Sequence, residues 1–197
     1  MMDHISLAKM VSVGCCGFPV SMKKYFQTFK LVEIQKTFYK PPKLSTAFKW
    51  RKASPKDFEF TVKAWQIITH PYESPTYKKV KLEYSSNYGF FKPTKEVFEA
   101  WEYTYEIAKA LNARIVVFQT PPSFKPEKNN ISNLRNFFSS ISGFKFVWEV
   151  RGEWKEKEIK TLCEELNLIH SVDPFVSKQL YGDIAYFRLH GIGGYKV

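Results

Sequence analysis

The chain has 197 residues, 44% of them hydrophobic and 25% charged, the proportions of an ordinary globular protein long enough to bury a core. That excludes a disordered chain, a collagen-like repeat and a disulfide scaffold. Lys plus Arg number 30 against 19 Asp plus Glu, a net charge of +11, and all of that excess lies in residues 1–95, where 17 basic and 6 acidic residues leave 17 − 6 = +11.

The first ten residues, MMDHISLAKM, lack the apolar stretch of a signal peptide. They read as a leader or alternative start, with 11–197 as a single domain. Strand-like runs, short and rich in Val, Ile and Phe, then alternate with helix-like runs. The strands are expected at Val11–Cys15, Leu31–Gln35, Phe58–Ala64, Arg114–Gln119, Phe144–Val150, Leu168–Val172 and Ile184–Leu189. The helices are expected at Ser21–Phe29, Ser45–Ala53, Thr94–Leu111, Ile131–Ile141 and Lys155–Leu166, with 173–183 as a weaker helix or an ordered loop. Thr94–Leu111 is the clearest helix, because Val97, Ala100, Trp101, Tyr105, Ala108 and Leu111 recur at three- and four-residue steps behind the start signal Pro93-Thr94. The long stretch of about 71–92 mixes Lys78, Lys79 and Lys81 with Tyr84, Tyr88, Phe90 and Phe91. It reads either as a basic, aromatic lid or as a loop packed by its own rings.

Alternating strands and helices mean parallel strands with helical crossovers. Seven strands without GxGxxG after the first point to an α/β fold of the (β/α) TIM-type barrel, with parallel strands and the eighth strand missing from this chain. An open barrel would leave two unpaired edges, so closure by another chain is one expectation and a C-terminally incomplete frame is the other. Each strand ends in unusual polar groups, and such groups gathered at the C-terminal strand ends mark a barrel's functional face. The period of two puts Glu33 with Gln35, Glu149 with Arg151 and Arg188 with His190 on common faces.

The segments VGCCGFP, VEIQKTFY, FTVKAWQIITH, FQTPPSF, VWEVRGEW and YFRLHGIGGY, in that order, resemble the YecE-like family, also called domain of unknown function 72. The resemblance covers nearly the whole chain after Met10. It implies a TIM barrel akin to the xylose-isomerase and endonuclease IV group, with no established reaction; a DNA-related or metal-dependent hydrolase role rests there on structural analogy. Members of that family continue past the His-Gly…Tyr motif to a last strand, whereas this chain ends at Val197.

From the residues themselves, Glu33, Glu149, His190 and His70 are the candidates for moving protons. Arg151, Arg188, Lys63 and Gln119 are the candidates for holding an anion, because a guanidinium fork matches phosphate or carboxylate. Tyr39 and Trp154 are candidates to stack on a base or sugar, with simple packing against the barrel the more common role of such rings, and Asp173 and Tyr195 complete the expected binding set. The alternative for the two arginines is a buried ion-pair network with Glu33 and Glu149. No cofactor is expected; a divalent ion held by Glu33, Glu149, Asp173 and His190 is the less favoured arrangement, since three cations share the site. The functional expectation is an anion- or phosphate-binding pocket of a hydrolase- or isomerase-like enzyme. The alternative is a nucleic-acid-binding or DNA-repair-type protein that uses the basic N-terminal half. Against that alternative, 25 of the 30 basic residues are lysines beside 18 Phe, a bias that A- and T-rich codons produce unaided. The expected partner is an anionic small molecule or nucleic acid. No run nears the roughly 18 apolar residues of a membrane span, so no membrane partner is expected. Three cysteines, two of them adjacent and none in CxxC spacing, fit reduced thiols in the cytoplasm.

Overall fold

The computed structural model describes residues 11–191; the expected leader 1–10 and Tyr195 lie outside the described residues. Six strands form one parallel sheet in sequence order: β1 (Gly14–Cys16), β2 (Leu31–Ile34), β3 (Glu59–Lys63), β4 (Ile115–Gln119), β5 (Lys145–Glu149) and β6 (Leu168–Ser171). Between them run α1 (Met22–Thr28), α2 (Lys36–Tyr39), α3 (Leu44–Ala53), α4 (Gln66–Thr69), a 3-10 turn (Pro75–Lys79), α5 (Lys95–Ala110), α6 (Lys128–Ser139) and α7 (Glu156–Leu166). This is the expected (β/α) TIM-type barrel architecture, with the sheet not closed between β1 and β6 among the described residues.

Register and the period of two sort every strand into two faces. Outward residues such as Phe60, Val116, Phe118, Phe146 and Trp148 enter the helix-covered core. Phe118 is fully buried, with its ring centroid 5.0–6.1 Å from those of Phe91, Trp101, Phe137, Phe138 and Phe146. Inward, Val117, Val147 and Ile169 form a separate apolar layer, with Ile115, Ile184 and Tyr186 packed on it. Above that layer, at the C-terminal strand ends, the inward residues become polar.

Helix boundaries follow local chemistry. Glu158 reaches back to accept the Lys155 backbone N–H at 3.0 Å, and α7 ends at Asn167 with φ 52, a left-handed position that Asn tolerates. The segment 71–92 is an ordered loop packed by its own rings: Tyr72 lies 5.0–6.4 Å from Tyr77, Tyr84 and Tyr88. It returns onto α4 through Gly89 N–H to Ile67 O and Phe91 N–H to Ile68 O. Gly89 has φ 80, and a Cβ there would meet the backbone of His70 and Pro71 at 2.3–2.4 Å, so no other residue fits.

Three expectations need correction. The run Ile184–Leu189 is not a strand. It joins β6 through a single parallel bridge, Val172 with Phe187, because the Gln179 side chain takes its backbone groups, donating to Ile184 O at 2.7 Å and accepting from Tyr186 N–H at 3.2 Å. The first strand starts at Gly14 rather than Val11, and Val11 and Val13 stand exposed. The helix expected at Ile131–Ile141 begins at Lys128 and ends at Ser139. Residues 173–183 form a loop opened by a turn in which Asp173 O accepts from Val176 and Ser177.

Phe118→Ala is expected to cost about 3–5 kcal/mol by opening a cavity among five aromatic rings, read as a lowered urea midpoint with an unchanged slope.

Candidate functional site

The polar layer of the barrel is built from strand ends. Glu33 comes from β2, Lys63 from β3, Gln119 from β4 and Glu149 from β5, while Arg188 reaches in from the segment beside β6. Glu33, Lys63, Glu149 and Arg188 are all buried. Arg188 holds Glu33 with two bonds, Nε to Oε2 at 3.0 Å and Nη2 to Oε1 at 2.8 Å, and donates to Glu149 through Nη1. Tyr186, two residues earlier and so on the same face, donates to Glu33 Oε2 at 3.0 Å and lies 3.0 Å from Thr61 Oγ1. The guanidinium also meets the Cys16 thiol, with Nη2 3.6 Å from Sγ.

At the outer side of the layer Arg151, whose side chain is 38% exposed, donates from Nε to Glu149 Oε1 at 2.7 Å. Its Nη2 lies 2.7 Å from His190 Nε2, and that same nitrogen lies 3.2 Å from Glu149 Oε1. Neutral with its proton on Nδ1, the ring accepts from Arg151; protonated at Nε2, it donates to Glu149. One imidazole nitrogen therefore has a partner in either state. Asp173 fixes His190 by accepting its backbone N–H at 2.9 Å.

Lys63 stands apart from this pairing. Its Nζ donates to Gln119 Oε1 at 2.8 Å and sits 3.9 Å above the Phe38 ring, and no carboxylate among the described residues lies within ion-pair distance of it. Thr37 pins the end of β3, its hydroxyl lying 2.6 Å from both Ile34 O and Lys63 O.

The electrostatics follow from burial and pairing. Burial pushes the Lys63 amine down, and the Arg188 charge pushes the same way, to about 8. Burial pushes the Glu149 carboxyl up, but Arg188 and then Arg151 outweigh it and hold it below its ordinary value. Arg188 is raised: burial opposes its charge, yet Glu33 and Glu149 more than offset the loss of water. Burial, then Glu33, push the Cys16 thiol up, so it is not an activated nucleophile.

A family model for the protein of unknown function DUF72 matches residues 19–195. The chain belongs to the DUF72 family. It is 27% identical over 114 residues to the UPF0759 protein YunF of Bacillus subtilis (strain 168). That match covers 58% of this chain and 36% of YunF, so the chain spans little more than a third of that relative's length. Among solved structures, a DUF72 family protein from Enterococcus faecalis V583 superposes with a TM-score of 0.69 at 20% identity, covering 92% of this chain and 74% of that one. Another from Thermotoga maritima MSB8 superposes at 0.68 and 23% identity, covering 93% and 75%. At these identities the likeness concerns the fold.

In this DUF72 chain the structure gathers Glu33, Lys63, Gln119, Glu149, Arg151, Asp173, Arg188 and His190 at one end of the barrel. It does not bring His70, Tyr39 and Trp154 into the same hydrogen-bond network. His70 is buried, 4.9 Å from the Phe38 ring centroid, with Nδ1 on Thr69 Oγ1 at 2.8 Å. Burial and then Lys63 push it down to about 3, so it stays neutral near pH 7. Tyr39 packs edge-on against Phe38, under Lys79. Trp154 stacks on Phe124 and donates to Phe124 O at 2.7 Å. The oxygens of Glu33 and Glu149 are engaged by guanidinium groups, and among the described residues no three His, Cys, Asp or Glu are grouped to hold a metal. A cavity of about 700 Å³ lies elsewhere, beside the 174–187 segment, lined by Pro174, Gln179, Tyr181, Ile184 and Phe187 among others. Sequence reasoning missed Tyr186, Thr61 and Phe38; the first two carry a usable signal, their two-residue spacing from Arg188 and Lys63.

Arg188→Met leaves buried Glu33 without a cation and Glu149 with Arg151 alone, and is expected to cost about 3–5 kcal/mol at pH 7. Glu149, held low in the folded protein, contributes stability that is present above its unfolded value and is lost as pH falls through its folded one. The difference between wild type and variant is therefore largest near neutrality and narrows below about pH 4, as urea denaturation across pH will show.

Proposed function

We propose that this end of the barrel binds a small anionic, phosphate-bearing ligand and moves a proton on it, as a hydrolase- or isomerase-like enzyme does. One observation carries the reading: three cationic side chains, Lys63, Arg151 and Arg188, share the site with two carboxylates, Glu33 and Glu149. Arg188 is engaged by those carboxylates and by the Cys16 thiol, and it positions the carboxylates. The surplus positive charge belongs to Lys63, which has an amide for a partner, and an incoming anion supplies the missing counter-charge. Arg151 has the exposure to meet that anion, and His190, between Arg151 and Glu149, is the group placed to carry a proton. Inorganic phosphate, titrated calorimetrically and by the rise in melting temperature, is the probe. Saturable binding that falls at least about tenfold in both Arg151→Ala and Lys63→Met supports the reading; phosphate that leaves wild type and variants alike refutes it.

A second reading has its own observation. The neighbouring helices α1 and α3, joined through Phe18, Phe26, Phe58 and Trp50, contain no acidic residue and expose Lys23, Lys24, Lys49 and Lys52. A basic surface of this kind suits a nucleic-acid backbone. Fluorescence anisotropy with single- and double-stranded oligonucleotides tests it. Binding that weakens steeply with salt, and weakens again on Lys23→Glu with Lys49→Glu, supports it; no binding at low salt removes it.

A further inference from the structure

We propose that Lys63 is a reactive amine, and that the ligand class of this site is an anionic carbonyl compound whose carbonyl carbon forms an imine with Lys63 Nζ. The anionic part of that class rests on the reading above.

The geometry sets Lys63 apart from the 24 other lysines of the chain. Its side chain lies inside the barrel, buried, against the face of Phe38. The charged groups around it are Arg188, Glu33 and Glu149, with the Cys16 thiol and the neutral His70. Both carboxylates are already bonded to arginines, and arginine does not give up its proton in a protein. When this cluster sheds its surplus charge, Lys63 is the member that can lose a proton. A desolvated lysine beside another cation is the environment that makes an amine nucleophilic near neutral pH. Gln119, half-buried and holding Nζ by its amide oxygen, fixes the amine without neutralising it as a carboxylate would. Arg151 follows two residues after Glu149, whose Cα pairs with that of Gln119. A short ligand can therefore place its anionic end on the guanidinium and its carbonyl toward Lys63.

The chemistry balances without a cofactor. The neutral Nζ attacks the carbonyl carbon, a C–N bond forms, and the carbonyl oxygen takes up the proton that nitrogen releases, giving a carbinolamine. The hydroxyl then leaves as water with the remaining N–H proton, and the C=N bond forms. Cyanoborohydride delivers hydride to that carbon while the nitrogen takes a proton from water, leaving a stable secondary amine on Lys63.

The test uses wild-type protein with two probes, glyoxylate and the uncharged propionaldehyde, each trapped with cyanoborohydride and mapped by peptide mass spectrometry from pH 6 to 10. With its amine near 8, about a tenth of Lys63 is neutral at pH 7, against roughly one part in 2,500 of an ordinary lysine. The expected result is glyoxylate modification of Lys63 at least about tenfold faster than at exposed lysines at pH 7, rising to a plateau above pH 8, with inorganic phosphate protecting. Equal labelling of Lys63 by both aldehydes without phosphate protection supports the reactive amine and overturns the anion site. Labelling spread over exposed lysines, with Lys63 modified no faster than they are, overturns the inference, whatever phosphate binding shows. Because the comparison is made between lysines of one folded protein, it does not depend on a variant folding.

Discussion

The barrel end is organised by the burial of one arginine. A guanidinium withdrawn from water carries a desolvation penalty of several kcal/mol unless its donors are met, and Arg188 meets it with Glu33 on β2 and Glu149 on β5. Those partners lie 155 and 39 positions away in the chain. Satisfying one side chain therefore ties the 184–190 segment to two strands at once. Tyr186 adds a second tie, to Glu33 and Thr61. The backbone contributes little to this closure, with one bridge and one hydrogen bond from Arg188 N–H to Val172 O. Side chains bridge the barrel interior where a strand ladder would otherwise run.

The same pairing sets the chemistry. Two arginines occupy two carboxylates, and losing any one of the four charges leaves a buried partner with fewer counter-charges. The variable charge is displaced onto Lys63, whose neutral form burial and Arg188 bring within reach. Val117, Val147 and Ile169 close the barrel beneath them, so the charges interact in a medium poorer in water than the surface and influence each other more strongly.

Rigidity comes from the other face of the strands. The aromatic core around Phe118 and Trp101 presses the helices onto β3, β4 and β5, and the tyrosine-packed loop 71–92 locks α4 over the end of β3. Groups carried on strands held in this way keep their spacing better than groups on loops. Arg151 and His190 lie just beyond the regular strands and are the more exposed members of the site. Placement and exposure thus divide the cluster into a fixed interior and a solvent-facing rim.

Strand alternation, the long helix Lys95–Ala110 and the gathering of polar groups at the strand ends were legible from composition and period alone, because inward and outward positions of a strand differ in which residues they tolerate. Glu33, Lys63, Glu149 and Arg188 were legible as a group for the same reason. Their pairing was legible only as one of two alternatives. Whether Arg188 faces a ligand or two carboxylates depends on barrel stagger and on side chains distant in sequence, which a local pattern does not encode. The run Ile184–Leu189 has a strand's composition, yet Gln179 competes for its backbone groups, and that contest is decided by a loop's path. The sequence by itself determined which residue types line the barrel, since burial selects them position by position. Tertiary structure alone decided which charges neutralise one another and so left the lysine without a carboxylate, because ion pairing depends on distances of a few ångströms between strands that meet only in the folded chain.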